Sequence, residues 1–545
     1  MKGLRRFFGN AFLLTVSALI MRSISVSFGA YVSNTAGAEA MGLFSLIMSV
    51  FGFALTLATS GINLAVTRMV SEALAENDDG LVRRSIRKCL FYCIICSFLA
   101  GGVLFIFAEQ IGDYILKDTR TIFSLRVLAA TLPFISITAA FNGYFTAVRR
   151  VYKNTIYQIS EQLIKMYFTV KMFELYIDRG IEYACIALVV SDAISEFSAF
   201  IISGTLYYFD RKKHIKGKTT AVSDTLVTKK LCSIAIPVAL STYIRSGLLT
   251  IEHILIPRGL TKSGAAHSVA LAAYGTLSSM VMPIIFFPTA ILSSFASLLV
   301  PELAEAAVQK KKTLVQNIAT RAFRYSLIFS FGISGILITF SGELGMLIYE
   351  STEVSRYISL LAPLVPVMYL DSVTDAMLKG LGQQVYSMNV NIFDALLSII
   401  LVIILLPNYG IFGYIITIYI TELANAALSI LRLISITDIR PRVFKWVFAP
   451  LISVLGSSAV SRFIFGYLNL PISLTTEVVL NACLMLIFYF AFIRFTGAMS
   501  RRDYAWFNGA LKIRSSSAKE CSRDRGDLPN SLPLQRERLR NIRKC

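Results

Sequence analysis

The chain has 545 residues, 55% of them apolar and only 16% charged, with a mean hydropathy of +0.65. A soluble domain of this size carries about 25% charged residues, so the composition excludes an ordinary water-soluble fold. The net charge of +20 would point a soluble protein toward nucleic acid. Here the basic residues sit in short loops and a tail, where they read as topology signals and contacts for anionic membrane lipids, and nucleic acid is set aside as a partner.

Apolar stretches of about twenty residues recur from end to end, each long enough to cross ~30 Å of hydrocarbon as a helix. Strand alternation is not evident, and a backbone in lipid must satisfy its own hydrogen bonds. The predicted fold class is therefore all-α: a polytopic membrane protein of about fourteen transmembrane helices. The spans lie near 8–32, 42–66, 86–108, 122–147, 154–177, 182–209, 230–256, 270–299, 317–340, 357–378, 386–406, 411–434, 443–467 and 473–495. Lys2, Arg5 and Arg6 before the first run imitate a signal peptide, and Ala36-Gly37-Ala38 its cleavage site. The run is too long for that and Arg22 interrupts it, so it is read as a retained first helix.

Loop charges alternate. One side holds Lys2/Arg5/Arg6, Arg83/Arg84/Arg87/Lys88, Arg149/Arg150/Lys153, Arg211/Lys212/Lys213, Lys310/Lys311/Lys312 and Arg440/Arg442/Lys445; the other holds Glu39, Asp113, Asp118, Asp178, Glu343, Glu350 and Glu353. The positive-inside rule then places both termini in the cytoplasm of an even-span protein. Residues 1–209 are expected to form a six-helix lobe, 210–229 a basic linker, and 230–436 a second six-helix lobe. Residues 437–499 supply helices thirteen and fourteen, and 500–545 a disordered basic tail.

The two lobes echo each other. Leu361-Ala362-Pro363-Leu364-Val365-Pro366 repeats Leu128-Ala129-Ala130-Thr131-Leu132-Pro133 at an offset of 233 residues. The same offset pairs Gly42 with Gly275, Pro133 with Pro366, Asn142 with Asp375 and Glu161 with Asp394; a three-residue slip pairs Glu72 with Glu302 and Asp192 with Glu422. Duplicated membrane halves mark transporters, whose substrate site lies where the repeats meet.

An ionisable group at mid-span costs ~2.5–3.5 kcal/mol on insertion scales, so it marks a cavity or a partner. Arg22 in the first span and Arg245 in the seventh lie at matching depths and are assigned to the cavity, since the guanidinium fork grips phosphate or carboxylate. Glu252 follows Arg245 by two turns on the same face. Glu161 and Lys165, four apart in the fifth span, are expected to pair on one helix face. Secondary candidates are Asn142, Asp371, Asp375 with Lys379, Asp394 and Glu422; Asp371 is placed near the outer interface. Glu196 and Asn425 are further polar groups within spans.

The three histidines and eight cysteines offer no zinc-ligand pattern, and Cys89, Cys93 and Cys96 read as buried thiols in an apolar helix. There is no phosphate-binding loop and no long extramembrane domain. No metal, cofactor or enzyme activity is expected; an ion gradient (Na+ or H+) or the membrane potential supplies the drive.

Several segments together resemble one known group. Gly37-Ala38-Glu39-Ala40-Met41-Gly42-Leu43-Phe44 is similar to the turn after the first helix of polysaccharide exporters of the stage V sporulation protein B type. Leu57-Ala58-Thr59-Ser60-Gly61-Ile62 and Val70-Ser71-Glu72-Ala73 are similar to the next stretch of those exporters. Phe287-Pro288 with Leu299-Val300-Pro301-Glu302-Leu303-Ala304-Glu305, Asn142-Gly143-Tyr144-Phe145 and Glu161-Gln162 resemble further motifs of that family. The family lies in the multidrug/oligosaccharidyl-lipid/polysaccharide (MOP) flippase superfamily and is similar to MurJ-type lipid II flippases. The resemblance implies fourteen helices, a V-shaped central cavity, export of lipid-linked glycans and a bacterial inner membrane. Arg22, Glu161 and Glu252 match family positions. Phe28 replaces a second arginine, Pro283 and Phe286 replace the cavity charges of MurJ-type proteins, and Arg245 is displaced by about one turn.

The expected function is therefore a flippase for a lipid-linked oligosaccharide or peptidoglycan precursor, with Arg22 and Arg245 holding the pyrophosphate and no bond broken. It is expected to act as a monomer, alongside cell-envelope glycosyltransferases. Two rivals differ in kind: a cation-coupled multidrug exporter of the same architecture, and a non-transporting scaffold that recruits wall-synthesis enzymes through its tail.

Overall fold

The computed structural model describes residues 2–76, 78–150, 152–214, 224–468 and 473–497. The tail expected at 500–545 and part of the linker expected at 210–229 lie outside the described residues. Among the described residues every regular element is helical. The first two spans form one continuous helical run, Lys2–Thr59, broken at Gly37, whose φ of 83° and ψ of 164° leave the helical region. A positive φ costs glycine nothing, so Gly37 separates the first span from the second without a loop. Gly61 (φ 76°) breaks the second span again before Ile62–Ala75.

Spans three to seven are Asp79–Ile106, Thr121–Ala147, Tyr152–Tyr176, Ile181–His214 and Asp224–Lys262. The eighth is bent at Phe287-Pro288 into His267–Phe286 and Thr289–Val308. The remainder are Lys312–Thr339, Thr352–Gly380, Gln384–Tyr409, Ile411–Thr437, Phe444–Tyr467 and Leu474–Thr496. Splitting the first run at Gly37, joining the halves of the eighth and including the polar fifth helix gives fourteen spans.

Successive spans run up and down, so Arg83–Lys88, at the start of the third span, and the turns carrying Arg149–Lys153 and Lys310–Lys312 fall at one end, the basic end. Gly37, the 107–120 loop, residues 263–266 and 340–351 fall at the opposite end. At the basic end Asp210, 3% exposed, anchors the fourth-to-fifth-span turn: it forms ion pairs with Arg150 and Lys153 and accepts from the Tyr144 hydroxyl at 2.8 Å. The last two helices lie against the ninth, where Tyr489 donates to the Ile328 carbonyl at 2.7 Å and Thr339 meets Ser458 at 2.7 Å.

The repeat reappears as geometry. Asn154 donates to the Asn142 carboxamide oxygen at 2.7 Å, and Ser387 donates to the Asp375 carboxylate; both donors and both acceptors are related by the offset of 233. The glycines paired by that offset touch each other. A Cβ on Gly275 would lie 2.2 Å from the Ala38 carbonyl oxygen and 2.9 Å from Gly42 Cα, and one on Gly42 would lie 1.9 Å from the Leu271 oxygen. Only hydrogen fits at this crossing of the second and eighth spans. One turn deeper, Ser45 Oγ lies 2.5 Å from Ser279 Oγ and 3.2 Å from Ser278 Oγ.

The opposite end adds polar ties across the same seam. Arg120 binds Asp118 through Nη2 at 2.6 Å and Glu39 through Nη1 at 3.2 Å, and His267 Nε2 reaches Asp118 at 3.3 Å. Burial works to raise the Asp118 carboxyl, but hydrogen bonds and charge from Arg120, with His267, hold it below the ordinary carboxylate range. Its folded value is depressed, so this stabilisation is present near neutrality and is lost as pH falls through that value. Asn34 donates to the Ile348 carbonyl at 2.9 Å. The seventh span follows the second toward the basic end, through Thr250 to Ser49, Ser246 to Thr56 and Tyr243 to Leu57, ending at a 2.5 Å pair between Lys230 and Glu72.

Overpacking a tight contact costs about 1–3 kcal/mol. Gly275→Val is expected to lower unfolding stability in detergent by that order. Gly102→Ala, whose Cβ would meet nothing within 4 Å, is expected to leave it unchanged or raise it by up to about 1 kcal/mol. Equal thermal midpoints for the two variants would show that the crossing is not tight.

Candidate functional site

A cavity of about 420 Å³ lies between the lobes. The first span contributes Arg22, Ser25, Val26 and Gly29; the eighth contributes Ser278, Ser279, Met282, Pro283 and Phe286; Tyr349, after the ninth span, completes the lining. Arg22 is the one charged side chain among these lining residues. It stands fifteen residues from the Gly37 break, about 22 Å along the helix at 1.5 Å per residue, deep in the hydrocarbon. Arg22 makes no ion pair among the described residues. Tyr349 is 5% exposed and its hydroxyl has no hydrogen-bond partner among the described residues. An unmade hydrogen bond at a buried hydroxyl costs about 1–3 kcal/mol. A guanidinium and an unused phenol on one cavity can both donate hydrogen bonds to an oxygen-rich group. Pro283 and Phe286 make the wall beyond the serines apolar.

Arg245 is not on this wall. It is an exposed residue of the seventh span, and its charge acts on Asp394 of the eleventh. The expected joint grip of Arg22 and Arg245 is thus corrected: depth along the helix matches, but rotation about it turns Arg245 toward the second lobe's own acids.

The fifth span also departs from expectation. Lys165 does not pair with Glu161 one turn away; it makes its ion pair with Asp192 of the sixth span. The lysine is 26% and the aspartate 11% exposed at the side chain. The fifth and sixth spans pack along their length, so the lysine reaches across rather than up its own helix. Glu161 and Glu196 lie within electrostatic range of the pair. The first lobe thus holds three carboxyls around one lysine.

The second lobe repeats the acids but takes its cations from other positions, with Lys379 acting on Asp371. Glu252, Asp371, Asp394 and Glu422 come from four helices and lie within electrostatic range of one another in succession. Ser398 donates to Glu252 at 2.6 Å, and Asn425 donates to Asp371 at 3.2 Å. Asp371 thus packs against the twelfth span, and it lies nine residues from the basic end of Thr352–Gly380 and nineteen from the other, not near the outer interface. One oxygen each of Asp371 and Asp394 is buried without a partner among the described residues. The offset that relates Glu161 to Asp394 relates Lys165 to Ser398, so a serine stands where the first lobe keeps its cation. Arg245 is the one cation acting directly on Asp394 among the described residues.

Asn142 and Asp375 stay local. Asn142 donates to the Tyr157 hydroxyl at 3.1 Å, and Asp375 pairs with Lys379 at 2.5 Å. Neither lines the cavity. Sequence reasoning missed Tyr349, which reads as an ordinary interfacial aromatic, and Ser398, which the repeat offset could have flagged.

Removing one partner of a buried ion pair costs about 3–5 kcal/mol. Lys165→Met strands three carboxyls, whereas Asp192→Asn strands one ammonium beside two remaining acids. Lys165→Met is expected to lose more folded yield and thermal stability than Asp192→Asn, with the double variant milder than Lys165→Met alone. The reverse order would show that Glu161 and Glu196 do not feel the lysine.

Known proteins share both the sequence pattern and the fold. The family model for polysaccharide biosynthesis proteins matches residues 7–307, and the MatE model matches residues 262–404. The chain belongs to the polysaccharide biosynthesis protein family. It is 25% identical over 414 residues to stage V sporulation protein B of Bacillus subtilis (strain 168), covering 75% of this chain and 79% of that protein. Its fold is similar to an inward-facing multidrug resistance MATE family transporter of the MOP superfamily, with a TM-score of 0.60 at 15% identity, over 78% of this chain and 98% of that one. It is also similar to the lipid II flippase MurJ in an inward closed conformation, with a TM-score of 0.59 at 14% identity, over 89% and 97%.

Proposed function

We propose that this family member is a flippase that carries the phosphate-bearing head of a lipid-linked oligosaccharide or peptidoglycan precursor across the bacterial cytoplasmic membrane. The observation that supports it most is the inter-lobe cavity in which a deep arginine, Arg22, faces no carboxylate and Tyr349 presents an unused hydroxyl. The polyprenyl tail stays in lipid while the head crosses between the lobes, which part alternately at the Gly42–Gly275 crossing and at the basic end. The basic end is cytoplasmic, as are both termini. Transport breaks no bond. A cavity whose one charge is positive disfavours the cationic cargo of a multidrug exporter.

Coupling belongs to the second lobe. Four carboxyls from four helices gather there, and one oxygen each of Asp371 and Asp394 is buried with no hydrogen-bond partner among the described residues. A proton taken up and released by these acids would couple transport to a proton gradient.

The test is head-group flipping of an undecaprenyl-linked glycan in reconstituted vesicles. A charge-assisted hydrogen bond is worth about 1.5–3 kcal/mol, so Arg22→Ala is expected to slow flipping about tenfold or more. Arg22→Lys should rescue partly, and Tyr349→Phe should weaken transport with normal folding. Wild-type rates in both Arg22→Ala and Tyr349→Phe would refute the cavity as the path. Asp394→Asn is expected to abolish any dependence of rate on a proton gradient; an unchanged dependence would remove the acid cluster from coupling.

A further inference from the structure

A second cavity, of about 330 Å³, opens at the opposite end of the seam. Its rim is basic: Lys117 from the loop after the third span, Arg258 and Lys262 from the end of the seventh, and His267 at the start of the eighth. Its floor is apolar, formed by Leu46, Ile254, Leu255, Val402 and Ile403 among others. None of its lining residues is a carboxylate; the neighbouring Asp118 is already engaged by Arg120 and His267.

Arg258 is fixed in place. Its Nη2 donates to the carbonyl of Tyr114 at 2.8 Å and to that of Ile115, both on the first lobe's loop. Its Nε is buried and has no partner among the described residues, and its charge stands beside two exposed lysines, Lys117 and Lys262. The depth is also specific. Lys262 ends the seventh span, and Pro407 lies two residues from the end of the eleventh, so the rim is at the bilayer boundary. From Lys262 down to Ile254 the wall descends eight residues, about 12 Å, into hydrocarbon. Ile403, 55% exposed, opens that wall toward lipid.

We propose that this cavity binds an anionic phospholipid, its phosphate among Lys117, Arg258 and Lys262 and the upper part of one acyl chain on the apolar floor. Charge at headgroup depth over an apolar descent fits a lipid phosphate; free phosphate would leave the floor empty. The site draws residues from both lobes, so an occupant favours the conformation in which the lobes meet at this end. With the basic end in the cytoplasm the leaflet is the outer one; binding itself does not depend on flipping.

The experiment uses the full chain in nanodiscs of phosphatidylcholine doped with phosphatidylglycerol, followed by native mass spectrometry of retained lipid. One phosphatidylglycerol is expected to remain on the wild type. Losing a phosphate-gripping charge should cut retention about tenfold, in Arg258→Gln and independently in Lys117→Gln/Lys262→Gln, whose side chains are exposed. Lys310→Gln/Lys311→Gln at the basic end should retain it. Equal retention by all variants, or equal loss in the Lys310/Lys311 control, would overturn the site. Displacement by millimolar inorganic phosphate would also overturn it, because it would show recognition of phosphate without the lipid. A change in flipping with retention intact would bear on the transport path and leave this site standing.

Discussion

Two glycines hold this architecture together. Gly42 and Gly275 occupy equivalent places in the two halves of the chain, and they meet with no room for a single carbon between their backbones. Such a contact has little side-chain entropy to lose and little apolar area to gain in lipid, so its strength is backbone packing and the serine hydrogen bonds a turn deeper. That combination suits a gate. It closes tightly, yet parting it strands only hydroxyls that water or a passing polar head can satisfy. The ion pairs among Glu39, Asp118, Arg120 and His267 sit above it at the boundary, where water can reach them when the lobes separate.

The repeat is kept as shape and broken as charge. The same hydrogen bond recurs between Asn154 and Asn142 and between Ser387 and Asp375, and acids recur at Glu161 and Asp394 and at Asp192 and Glu422. The lysine does not recur. In the first lobe the cation, Lys165, sits among the acids and pairs with Asp192; in the second, Ser398 takes that place and the cations act from other positions, Arg245 on Asp394 and Lys379 on Asp371.

Most spans were legible in the sequence because hydropathy and loop charge are local properties. The repeat offset paired Gly42 with Gly275 as equivalent positions, but equivalence alone did not say that the two backbones touch. The hidden features depend on rotation and on distant partners. Arg245 has the right depth for the cavity, but depth says nothing about which way a helix face turns. Glu161 and Lys165 have the right spacing, yet packing of the fifth on the sixth span chose Asp192, twenty-seven residues away. Tyr349 carries no local signal at all; it matters only because the short helix Ser341–Tyr349 ends against the cavity that Arg22 lines.

The most direct measurement locks the gate. Ser45 and Ser279 face each other with their hydroxyl oxygens 2.5 Å apart, so cysteines at both positions, in a chain stripped of its native cysteines, can be joined by oxidation. Flipping of a lipid-linked glycan is then followed before and after reduction. The cross-linked protein is expected not to flip, and reductant is expected to restore the rate. Undiminished flipping by fully cross-linked protein would contradict the claim that the lobes must part at the Gly42–Gly275 crossing.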